Sequence, residues 1–173
     1  MNYQAQYPQQ QGFYPSYQQS APGSPGTAVF AGLSSLAVAA GIGGASAYFI
    51  AEFPGYDNVF DLPAGMQSIL IGRLAVAALA LIGAVMLFAR RRAGAPVVAI
   101  SAILGAASLP LEPVVSEMLN GIGLSVGDYF QALIAFDNAY SVLLGVGAVA
   151  GLLAFLFAVV PSTSRWLRGS RHY

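Results

Sequence analysis

Four apolar runs, each long enough to cross a bilayer, constrain this chain more than anything else in it. A hydrocarbon core about 30 Å thick takes about 20 helical residues at 1.5 Å apiece. The runs are 28–50, 69–89, 97–116 and 139–160. The third begins at Val97 and is interrupted near its end by Pro110 and Pro113, while Pro161 closes the fourth. Only 8% of the 173 residues are charged, against about 25% in soluble domains, so a water-facing globule cannot be coated from this inventory. The expected fold class is all-α: an integral membrane four-helix bundle over 27–161, a disordered tail at 1–26 and a basic tail at 162–173. The first run is expected to stay in place despite "ASA" at 45–47. It exceeds the apolar core of about 7–15 residues in a secretory signal and has no basic residue before it.

The formal charge sums to zero, but its halves are segregated. Arg90, Arg91 and Arg92 separate the second and third runs, and Arg165, Arg168 and Arg171 follow the fourth. Glu52, Asp57 and Asp61 lie in or beside the first loop, and Glu112, Glu117, Asp128 and Asp137 lie from the end of the third run to the start of the fourth. Short arginine-rich loops resist translocation. Both termini are therefore expected in the cytoplasm, both acidic loops outside, and the chain in a plasma (inner) membrane. The six clustered arginines are expected to meet anionic lipid headgroups, at about 1 kcal/mol each near the surface. Nucleic acid is not expected as a partner.

The seventh arginine breaks the pattern. Arg73 sits inside "SILIGRLAVAALALIGAVMLF", where a central arginine costs about 2.5 to 3.5 kcal/mol unless it snorkels or pairs. Counted from Ala89 it lies about 24 Å up the second run; counted from Val97, Glu112 lies about 22 Å up the third. The two runs form a hairpin through "RRRAGAP", so an intramembrane ion pair between Arg73 and Glu112 is one expectation. Pro110 and Pro113 also free carbonyls nearby, and Glu117 and Asp137 are alternative partners nearer the outer surface. Outward snorkelling and contact with an ion or substrate are the other uses open to such a residue.

Helices in lipid associate through small residues that let backbones approach. Gly41 and Gly44 in the first run, and Gly147 and Gly151 in the fourth, are the candidate packing positions. They serve contacts within one bundle or between copies equally well. Between the third and fourth runs, Ser125 and Asp128 stand three apart before "YFQALIAF", a helix-starting pattern. That helix either continues into the fourth span or lies flat with Tyr129, Phe130, Leu133 and Ile134 in lipid. The stretch 53–66 reads as a loop on the membrane surface, its Phe53, Tyr56 and Phe60 suited to the headgroup layer. Asp57 and Asp61 are too few for a calcium cage of about six to eight oxygens.

The inventory offers little catalytic chemistry. The chain has no cysteine and one histidine, His172, next to the C-terminus. "GIGG" at 41–44 follows no strand and lies inside a span, so it is not a nucleotide loop. Glu112 is the best candidate for acid–base work on desolvation grounds, but no second catalytic group accompanies it. No enzyme activity, cofactor or metal is expected.

Residues 1–26 hold seven Gln, four Tyr and four Pro with no charge. Such a stretch buries too little apolar area to order itself, and spaced tyrosines among Gln and Pro suit weak multivalent contacts. With that tail, "YQAQYPQQQGFYPSYQQ", and no lysine among seven basic residues, the layout resembles small four-span membrane proteins of high-GC Gram-positive bacteria. The resemblance implies no catalytic or ligand residue. The expected partners are the lipid bilayer and other membrane proteins or further copies of the chain, and whether a small-molecule ligand binds is left open. The expected role is an accessory or scaffold subunit of a membrane or envelope complex; the alternative is an oligomeric transporter or channel subunit.

Overall fold

The structure is a computed structural model and describes residues 23–52, 59–116 and 125–169. The described residues form helices and their connections, with no strand among them. The elements are α1 (Pro25–Val38), a π-helical turn (Ala39–Gly43), α2 (Gly44–Glu52), a 3-10 turn (Val59–Asp61), α3 (Ala64–Phe88), α4 (Gly94–Val115), α5 (Val126–Ala135), α6 (Ala139–Val159) and α7 (Pro161–Arg168). Four helices are long and apolar enough to cross a membrane: Pro25–Glu52, Ala64–Phe88, Gly94–Val115 and Ala139–Val159. The chain is a multi-pass membrane protein.

Each span packs against its chain neighbours, and the fourth closes the ring on the first, giving an up–down–up–down bundle. Size sorts the residues between inside and outside. The buried positions are largely small, among them Ala31, Ala45, Ala80, Ala84 and Ala154, while Ile82, Val85, Ile103, Val149 and Leu152 face outward. That arrangement follows from a lipid solvent, which gives apolar side chains no reason to turn in and leaves close packing to join the helices. Buried serines add polar ties: Ser35 on α1 donates to the Ala80 carbonyl of α3 at 2.8 Å.

The first and fourth spans cross closely. A Cβ on Gly41 would lie 2.6 Å from the Gly147 nitrogen and 2.7 Å from the Leu143 carbonyl oxygen, so this contact is backbone on backbone. Gly41 lies in the π-helical turn, an insertion in helical register of the kind that re-aims a helix locally. Gly44 faces the Leu143 side chain, and Gly151 faces Val38 and the Ala102 carbonyl. All four glycines thus pack inside the chain's own bundle.

Several boundaries differ from the sequence expectation. The first span begins at Pro25, so the helix takes in residues assigned to the tail; Ser24 caps it by accepting from the Gly26 amide, and Pro25 suits a first helical turn. The second span begins at Ala64 rather than 69. The third is not interrupted at its prolines: α4 runs through Pro110 and Pro113 to Val115. Each proline removes one hydrogen bond, and near a helix end few turns remain to be lost. The basic segment after the fourth span folds as α7, with Thr163 and Leu167 buried against the bundle. Residues 1–22 and Arg171 lie outside the described residues, as do Asp57 and Glu117.

Candidate functional site: a buried arginine–glutamate cluster

Arg73 is fully buried and Glu112 nearly so. Arg73 Nη2 donates to Glu112 Oε2 at 2.8 Å. The helices set this up: α3 and α4 are antiparallel neighbours, and the tight turn at Arg90–Ala93 places the two residues at matching heights. Arg73 also donates from Nε to the Ser108 hydroxyl at 3.3 Å and from Nη2 to the Ser108 carbonyl at 3.5 Å. Ser108 is one turn before Glu112 on the same face of α4, and its hydroxyl donates onward to the Gly105 carbonyl at 2.7 Å. The carbonyl that Arg73 meets is thus Ser108's, not that of Ala106 or Leu109, the two four residues before a proline.

Two tyrosines complete the cluster. Tyr140, in the first turn of α6, donates its hydroxyl to Glu112 Oε1 and accepts from Arg73 Nη1 at 2.5 Å. Tyr129, on α5, donates to Glu112 Oε2. The Phe49 ring of α2 lies 5.8 Å from that of Tyr140, so side chains from every span meet here. No buried side-chain nitrogen or oxygen among the described residues lacks a hydrogen-bond partner. A buried pair satisfied in this way avoids the several kcal/mol that an unpaired charge costs in low dielectric.

The placement of α5 corrects one expectation for it and, at Tyr129 and Leu133, part of the other. Ser125 and Asp128 form a reciprocal capping box at its start, and the Ser125 bonds hold the Asp128 carboxyl below its ordinary range. The helix does not continue into the fourth span: Phe136 turns left-handed at φ 54°, and Asn138 starts α6 by accepting from the Ser141 amide. Nor is Tyr129 in lipid. Its phenol is directed at Glu112, and burial, followed by the charge of Glu112, pushes it well above its ordinary value of 10.0. Leu133 packs on the core, and Ile134 faces out.

Asp137, an alternative partner for Arg73, remains exposed. The arginines Arg90, Arg91, Arg92, Arg165 and Arg168 are exposed at the opposite end of the bundle. There the Arg90 guanidinium lies 4.7 Å from the Trp166 ring centroid, tying the α3–α4 turn to α7. Thr27 hydrogen-bonds Ser162 and Thr163, each at 2.9 Å, and ties α1 to the same helix. Sequence reasoning paired charge with charge and passed over Ser108, Tyr129 and Tyr140. The four-residue spacing of Ser108 and Glu112 was the available signal for the first; tyrosines near span ends ordinarily read as headgroup anchors. No family model matches the chain, and no curated protein or solved structure does so either.

Proposed function

We propose that this is a non-enzymatic membrane protein that works by association, as an accessory or scaffold subunit of a membrane or envelope complex. The observation that carries the reading is the way Arg73 is used. Among the described residues, every polar contact of its guanidinium is to Glu112, Ser108 or Tyr140 of the same chain, and the residue is fully covered. Four of its five N–H donors are thereby used on two other spans of the same chain, the pattern of a clamp between helices. The cluster makes the bundle a rigid platform, and recognition falls to its lipid-facing surfaces and to the segments at either end. By the positive-inside rule, the Arg90–Arg92 and Arg165–Arg168 end faces the cytoplasm, with both termini, and α5 lies on the outer surface of a plasma (inner) membrane.

In-cell cross-linking followed by purification in mild detergent tests the proposal. The expected result is a stoichiometric partner protein that persists through purification. Recovery of the chain without an unlike neighbour, together with solute or ion flux from reconstituted liposomes, would overturn it and favour a transporter subunit.

A further inference from the structure

A groove of about 650 Å³ runs between α1 and α6 on the lipid-facing surface. Phe30 and Leu33 stand exposed along one rim and Val149 along the other. Small residues, Ser34, Ala37 and Ala150, also line it. Ser34 is half-buried there and differs from the other span serines. Ser35, Ser46, Ser68, Ser101, Ser108 and Ser141 each donate to a backbone carbonyl. Among the described residues, the Ser34 hydroxyl has no partner. In hydrocarbon a hydroxyl ordinarily back-bonds to its own helix or crosses to another, because no water is present to serve it.

An acyl chain laid in this groove would cover the apolar rims and leave that hydroxyl unmet. A second copy of the chain meets both needs. Insertion orients all copies alike, so a twofold axis along the bilayer normal brings identical residues together at identical depth. A hydroxyl is donor and acceptor at once, so two Ser34 side chains satisfy each other across such an axis. The small residues permit the close approach, and contact with a second copy would cover the exposed Phe30 and Leu33. The groove of about 330 Å³ between α3 and α4 makes a contrast, since its Ser68 and Ser108 already donate to carbonyls.

We infer that the α1–α6 groove seats a second copy of this chain in a parallel twofold dimer centred on Ser34. The inference is separate from the unlike partner proposed above, since the dimer requires only the chain itself. The sequence contains no cysteine, so single-cysteine variants of the full chain report contacts directly. In native membranes treated with copper phenanthroline, Ser34→Cys is expected to give a disulfide-linked dimer several-fold more abundantly than Ile82→Cys, which faces outward on α3. Adding Ala37→Phe, which obstructs the groove, is expected to return cross-linking to the Ile82→Cys level. Differently tagged copies with native Ser34 should co-purify, and copies carrying Ala37→Phe should not. Ser34→Cys dimers no more abundant than those of Ile82→Cys would overturn the inference. Cross-linking or co-purification indifferent to Ala37→Phe would do the same.

Discussion

Arg73 Nη1 lies 2.5 Å from the Tyr140 hydroxyl, although α3 and α6 stand at opposite corners of the bundle rather than side by side. The guanidinium crosses the interior and binds α4 on the way, through Ser108 and Glu112. Three spans are thereby joined at one charge. An arginine is suited to this because its planar fork carries five donors on a long stem.

Tyr140→Phe tests the diagonal tie. The change removes a donor to Glu112 and an acceptor for Arg73 together, with no change in charge and little in volume. Detergent unfolding is expected to show a loss of about 1–3 kcal/mol, the cost of leaving buried polar groups unmet.

Tyr129→Phe is expected to release α5 while sparing the spans, because the tyrosine joins α5 to Glu112. Hydrogen exchange should quicken over 126–135 and stay slow through α3 and α4. The folded-state phenol is raised above its ordinary value of 10.0, so its contribution is complete below that pH and declines as the unfolded chain ionises above it. Alkaline unfolding of Tyr129→Phe should therefore have a shallower pH dependence above pH 10.0 than that of the native chain.

Gly41 and Gly72 should separate packing from helix propensity. A Cβ on Gly41 meets backbone at 2.6 Å, whereas one on Gly72 meets nothing within 4 Å. Gly41→Ala is expected to destabilise the bundle by about 1–3 kcal/mol, as overpacking does. Gly72→Ala should show no loss in the same thermal unfolding measurement.

Arg90 occupies a left-handed position at φ 54°. The Arg90 amide donates to the Leu87 carbonyl and the Arg91 amide to the Met86 carbonyl, at 2.9 and 2.8 Å. This closes α3 in the manner usual for glycine. Arg90→Ala keeps the backbone cost and loses the Trp166 contact, while Arg90→Gly loses only the contact. The glycine variant should be the more stable of the two by about 1 kcal/mol, and Trp166 fluorescence should shift in both.

Helix length and charge placement carried the reading of the fold because both are set by the solvent. A chain in lipid must satisfy its backbone within each span, so apolar runs and arginine clusters mark the spans and their ends almost directly. What escaped depends on packing. Pro110 and Pro113 resemble helix breakers until the last turn of α4 is in view, and the left-handed turn at Phe136 has no glycine to announce it. Its ring packs onto Gly145, where an added Cβ would lie 2.4 Å from it. Tyr129 and Tyr140 have the composition of interface anchors, and only the tertiary fold turns their hydroxyls onto Glu112.

The clamp itself is tested most directly by a double-mutant cycle on Arg73→Leu and Glu112→Gln, read as unfolding free energy in detergent. Each single change leaves buried polar groups without their charged partner and is expected to cost about 3–5 kcal/mol. The double change should cost less than the sum, with a coupling of at least about 1 kcal/mol. Strictly additive losses would contradict the account, because they would mean that the two residues stabilise the bundle independently.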